Sequence, residues 1–105
     1  MDEDFSGFDW DEGNREKCQK HGVSVAEIEN LFGTGPLAVR PDPEHSQAEE
    51  RLQAIGTTRQ RRSVFLIFTI RERDGGRLIR PISARYMHRK EIDHYEKENP
   101  DLHDR

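Results

Sequence analysis

Arginine is the side chain that this sequence concentrates. Between positions 51 and 90 stand 11 basic and 2 acidic residues, a net of +9 in a 105-residue chain whose total is −4. The surplus gathers at "RLIRPISARYMHRKEIDHY", which opens as a strand-like run and ends as a charged helix. A planar guanidinium stays charged and grips two phosphate oxygens at once, so such a cluster suits a polyanion. Arg80 and Arg85 lie on the strand, and on a regular strand they have opposite parity: one faces the open side, the other the rim. A bulge at Pro81 changes that count. Arg71 extends the neighbouring strand, Arg59, Arg61 and Arg62 occupy a hairpin tip, and Arg51 opens an earlier strand. Arg89 and Lys90 fall in the first turn of the last helix, where cations oppose the helix dipole and an anion relieves them. Charge alone is equally met by simple neutralisation, because residues 1–50 carry 13 acids and 4 bases.

Groups able to move protons are fewer. His21 is either a hydrogen-bonded histidine of the core or a titratable acid–base group. Glu50 can serve as a base, although Glu49 and Glu50 can equally pair with Arg51. Tyr86 and Tyr95 can stack on bases, with Tyr95 spaced for a core position. The five histidines are scattered and Cys18 is the only cysteine, so no metal site, disulfide or cofactor is expected. No Walker loop, GxGxxG or GxSxG motif occurs.

The elements that must position these residues follow from periodicity. Asp11 caps a helix running to about His21, and Gly22 stops it. Ser24 and Glu27 form a capping box for a second helix, with Val23 stapled onto Ile28. Val25, Ile28, Leu31 and Phe32 share one face of that helix, and Gly33 closes it. Strands follow at Leu37–Arg40, 50–58, Ser63–Ile70 and Leu78–Arg85. The third is apolar on both faces and therefore central. Asp74-Gly75-Gly76 predicts a tight hairpin between the last two. Pro81 places the final strand at an edge or on a bulge. His88 to about Glu98 reads as a helix, ended by Asn99-Pro100. The fold class is α+β: an antiparallel sheet of about four strands, two N-terminal helices and a C-terminal helix. One domain over 8–98 is expected between an acidic tail at 1–7 and a C-terminal tail at 99–105. With 31% hydrophobic and 36% charged residues, the core is lean and a partner-covered surface is expected. No apolar run approaches a membrane span, and "MDEDFSG" lacks the apolar core of a secretory signal, so a cytoplasmic protein is expected.

Several motifs in order resemble one known family. "FDWDEGN", "KHGVS", "PDPEHSQAEERLQAIG" and "IRPISARYMHRKEIDHYE" are similar to the BrnT-type toxins of bacterial type II toxin–antitoxin systems. The ending carries Ile82-Ser83-Ala84-Arg85, then Arg89, Glu91, Tyr95 and Glu96. "YMH" stands where the family usually has a small residue and a Ser/Thr cap. The resemblance implies a RelE-like fold and a metal-independent endoribonuclease that inhibits translation. It further implies neutralisation by a BrnA-type ribbon-helix-helix antitoxin in a 2:2 assembly, with operator DNA bound only through that antitoxin. Under it, Arg85 and Arg80 stabilise the transition state and His21 and Glu50 transfer protons. Arg51, Arg71, Arg59, Arg61, Arg62, Arg89 and Lys90 then hold the RNA. The competing reading is a non-catalytic module whose basic face binds an acidic protein.

Overall fold

The structure is a computed structural model and describes residues 5–33, 37–45 and 49–98. Most of the two expected tails, 1–4 and 99–105, lies outside the described residues. Strand β1 (Phe5–Phe8) leads into α1 (Glu12–Gln19) and α2 (Val25–Gly33). Strands β2 (Leu37–Pro41), β3 (Leu52–Thr57), β4 (Ser63–Arg73) and β5 (Gly76–Tyr86) follow, and α3 (Arg89–Glu98) is the last described element. A short 3-10 turn at Pro43–His45 lies between β2 and β3.

The sheet has five strands in the order β1-β5-β4-β3-β2, one more than the sequence predicts. The extra strand is β1: the sequence reads Phe8 to Asp11 as a short strand or extended entry outside the sheet, whereas the strand begins three residues earlier, at Phe5, and pairs parallel to β5. Its partners lie some seventy residues away, so no local alternation or hairpin turn announces it. The other pairings are antiparallel, and β4 is central as its two apolar faces require. Asp74 and Gly75 both adopt positive φ, 52° and 79°, which gives the tight hairpin its right-handed twist.

Helix α1 starts as expected, with reciprocal capping between Asp11 and Asn14. Ser24 and Glu27 cap α2 the same way, at 3.0 Å and 3.1 Å. These helices cover one face of the sheet. The core between them joins Cys18, Val23, Ile28 and Leu31 to Ala54, Val64, Leu66, Phe68, Ile79 and Ala84. Phe32 meets Phe8 and Phe68 edge-on at 5.7 Å and 5.2 Å. Close packing over Gly56 leaves no room for a side chain, because a Cβ there would stand 2.9 Å from Leu37 and 3.0 Å from Leu31. Burial pushes the Cys18 thiol up to about 11, so it behaves as a small apolar side chain. Among the described residues no helix is long and apolar enough to cross a membrane.

Helix α3 is different. It buries no residue completely, and its Tyr95 borders Ala38, Arg40, Gln53 and Ile55 on the sheet face that α1 and α2 leave uncovered.

Candidate functional site

The last strand decides which arginines can act together. Ile67 pairs with Ser83 and Phe68 with Pro81, so Ile82 is an extra residue in β5. This bulge reverses the parity beyond it. Arg80 lies opposite Thr69 and Arg85 opposite Phe65, two β4 residues on the same face. Both arginines therefore face away from α1 and α2, joined there by Arg71 and Arg73 of β4. The expectation of opposite faces is corrected by that single inserted residue. Pro81 costs no ladder bond, because β1 has already ended its pairing at Ile79. The Pro81 carbonyl instead accepts a 2.8 Å hydrogen bond from buried Asn14, which ties α1 to the bulge. So β5 lies inside the sheet and satisfies Pro81 by the bulge, the second of the two arrangements that the sequence allowed.

The arginines of this face form two groups. In the first, Arg71 donates from Nε and Nη2 to the two oxygens of Glu49 at 3.3 Å and 3.2 Å. That hydrogen bonding, with Arg51 and Arg80 nearby, holds the Glu49 carboxyl below its ordinary range. Arg80 is largely buried. It donates to Asp11 at 2.9 Å and to the Asp9 carbonyl at 3.4 Å. The Asp9 carboxylate stands between Arg73 at 3.5 Å and Arg80 at 3.6 Å, and its Oδ2 is buried without a hydrogen bond. The Asn14 amide hydrogen and then Arg80 depress the Asp11 carboxyl. Glu49 thus binds Arg71 and lies within electrostatic reach of Arg51 and Arg80.

Arg85 forms the second group. Its opposite residue on β4 is four positions from that of Arg80, which separates the two Cα atoms by about 13 Å. Its Nη1 and Nη2 donate to both Glu91 oxygens at 2.8 Å, and its guanidinium lies 4.9 Å from the Phe65 ring centre. Glu91 also accepts from the His88 amide at 2.9 Å. Chiefly through Arg85, the Glu91 carboxyl falls to about 2.

A third set of cations occupies the end of the sheet where β4 begins and β5 finishes. Met87 donates to the Ser63 carbonyl there, bringing the β3–β4 turn beside the start of α3. Arg59 and Arg61 are exposed on that turn, and Arg89 and Lys90 are exposed on α3. Among the described residues none of these four forms an ion pair. Arg62 stacks 3.5 Å from the Tyr86 ring centre. Burial and then Glu27, which accepts from the Tyr86 hydroxyl at 2.8 Å, raise that hydroxyl's pKa.

Two candidates for proton transfer are placed apart. Glu50 is exposed beside Arg51, and its carbonyl accepts from the Thr69 hydroxyl at 2.6 Å. His21 is exposed in the turn after α1, next to Gly22, whose carbonyl the Tyr86 hydroxyl reaches at 3.4 Å. Tyr86 has core-face parity, so His21 is on the helix side and the arginine groups are on the other. Sequence reasoning assigned no site role to Asp9, Asp11, Glu49 or Glu91, the carboxylates that hold the arginines. Only Glu49 carried a signal, as a neighbour of Arg51; the other three pairings span a fold-dependent distance.

Comparison with known proteins gives a family match over residues 10–91, to the ribonuclease toxin BrnT of type II toxin–antitoxin systems. No curated protein matches the chain.

Proposed function

The chain belongs to the BrnT family of type II toxin–antitoxin ribonuclease toxins, and from that premise we propose how its own residues cut RNA. Membership brings a protein antitoxin as partner. The observation that carries the mechanism is the convergence of Arg51, Arg71 and Arg80 about Glu49 on the sheet face that α1 and α2 leave uncovered.

In this proposal the scissile phosphate replaces Glu49 as the ligand of Arg71, with Arg51 close enough to add its charge. Arg80, fixed by Asp9 and Asp11, adds positive charge from behind and keeps the group in place. The 2′-hydroxyl oxygen bonds to phosphorus, the P–O5′ bond breaks, and a 2′,3′-cyclic phosphate and a 5′-hydroxyl result. Three guanidinium groups stabilise the charge that develops on the phosphorane, so no metal is required of the step. The 2′ proton passes to Glu50. Asp9, Asp11 and Glu49 are each engaged by arginine, whereas Glu50 is exposed and forms no ion pair among the described residues. A solvent proton completes the departing 5′ oxygen. His21 stands on the helix side and is given no step.

Arg85 holds a neighbouring phosphate, and Arg59, Arg61, Arg62, Arg89 and Lys90 draw the strand across the end of the sheet. Loss of translated RNA then arrests translation in the cytoplasm. A BrnA-type ribbon-helix-helix antitoxin in a 2:2 assembly neutralises the toxin and alone touches operator DNA.

The test is induction of the chain alone, with growth and RNA ends mapped against Arg71→Ala. Losing one preorganised cation from a phosphoryl transition state lowers cleavage by about 10²–10³-fold. The Arg71–Glu49 pair is partly exposed, so its loss leaves the fold intact. Undiminished cleavage by Arg71→Ala sinks the assignment. One observation favours a second reading, the non-catalytic module: Arg71, Arg80 and Arg85 are already neutralised within the chain. Unchanged growth and intact RNA on induction of the wild-type chain would select it.

A further inference from the structure

Of the two edges of the sheet, the one formed by β2 is the longer and the more regular. Strand β1 is four residues long, its register is irregular between Phe5 and Gly7, and short or bulged edges resist pairing. Strand β2 pairs with β3 through five consecutive residues without a break, from Leu37–Gly56 to Pro41–Leu52. Among the described residues no strand pairs with its outer side, where Pro41 alone lacks a backbone N–H. Val39, at its centre, is the one large hydrophobic residue among those described that is exposed, at 37%. Beside it runs a groove of about 100 Å³ lined by Ala38, Val39, Arg40, Gln53, Ile55 and Tyr95.

The charge at this edge is also incomplete. Arg40 is exposed and donates from Nε to the Gln53 amide oxygen at 2.7 Å. Among the described residues no carboxylate pairs with it, unlike Arg71, Arg80 and Arg85. Residues alternate across a strand, so Val39 faces the helix side and Arg40 the α3 side.

We propose that β2 is a docking edge for the protein antitoxin, which adds an extended segment as a sixth strand beside Leu37–Pro41. The inference rests on the family assignment, which supplies a protein antitoxin as the partner. Backbone hydrogen bonds give the affinity, and alternate side chains give the specificity. The segment carries an apolar side chain over Val39 and, one residue away, a carboxylate that reaches Arg40 beside Tyr95. This edge is distinct from the arginine cluster around Glu49, so neutralisation and RNA cleavage are separable by mutation.

The experiment pairs the toxin with the antitoxin of its own operon and compares wild type with Val39→Asp. An aspartate buried without a partner at a strand-addition interface weakens antitoxin binding about tenfold or more. Val39→Asp alone arrests growth as the wild type does, and co-expressed antitoxin no longer restores growth. In the wild-type complex, amide hydrogens of residues 37–40 exchange more slowly than in the free toxin; Pro41 has none. The proposal is overturned if Val39→Asp is neutralised as well as the wild type, or if exchange at 37–40 is unchanged by the antitoxin. A folded Val39→Asp that has lost toxicity also overturns it, because β2 then belongs to the cutting machinery. Should that variant fail to fold, the exchange measurement on the wild-type complex decides alone. Failure of the toxin assignment itself is seen separately, as unchanged growth when the wild-type chain is induced without antitoxin.

Discussion

Asn14→Ala tests the link between the first helix and the bulge that aligns the arginines. Asn14 is 6% exposed, and its side chain makes three hydrogen bonds. Its Oδ1 accepts from the Asp11 amide at 2.7 Å, completing the helix cap. Its Nδ2 donates to the Asp9 carbonyl at 3.0 Å and to the Pro81 carbonyl at 2.8 Å. Removing half of the reciprocal cap costs about 0.5 kcal/mol, since the Asp11 side chain still accepts from the amide of residue 14. Orphaning the buried Pro81 carbonyl costs about 1–3 kcal/mol, and the Asp9 carbonyl keeps only its long bond from Arg80. The two sum to about 1.5–3.5 kcal/mol. For a domain of this size that lowers Tm by roughly 6–28 °C, and it shifts the denaturant midpoint without changing the slope. Asn14→Asp is the sharper variant: it keeps the cap acceptor but turns an oxygen toward two carbonyls and the Asp9 and Asp11 carboxylates. It is expected to be no more stable than Asn14→Ala. A Tm within about 2 °C of wild type for Asn14→Ala, well short of that range, refutes the reasoning. So does an Asn14→Asp variant more stable than Asn14→Ala.

The Glu91 carboxyl is lowered from 4.5 to about 2 in the fold, so its stabilising contribution is present above pH 4.5 and is lost as pH falls through about 2. Because the pair is about one-third exposed, solvent screening limits the contribution to about 1 kcal/mol or less; Tm measured from pH 6 to pH 2 should therefore converge for wild type and Glu91→Gln. Gly56→Ala forces Leu31 and Leu37 apart and destabilises by about 1–3 kcal/mol in urea titration. An unchanged midpoint for that variant would mean that α2 shifts freely over the sheet.

Most of the element order was legible because each local signal had a local cause. Asp11 and Ser24 are caps that bond within their own first turn, Asp74-Gly75 is a turn with its own twist, and Ser63–Ile70 is apolar on both sides wherever it lies. The place of β1 in the sheet escaped because a short parallel strand is made by its partner. The Ile82 bulge was visible only as a question raised by Pro81. The site was more legible in its cations than in its anions: Arg51, Arg71, Arg80 and Arg85 were all singled out, while Glu49, Asp11 and Glu91 were named without these arginine partnerships. Arg71 and Glu49 are 22 residues apart, and Arg80 and Asp11 are 69 apart. His21, a chemically apt residue, lies on the helix side of the sheet, away from the arginine groups around Glu49 and Glu91.

The sequence by itself determined the α+β class, the central strand, the helix caps and the charge division between the two halves of the chain, all set by neighbours within a few residues. Tertiary structure decided the fifth strand, the shared face of Arg80 and Arg85, and the pairing of Arg80 with carboxylates some seventy residues away. Those depend on one inserted residue and on how far apart the sheet and helices hold the charges. Side-chain parity and Coulomb attraction are fixed by spatial register, and spacing along the chain does not encode it.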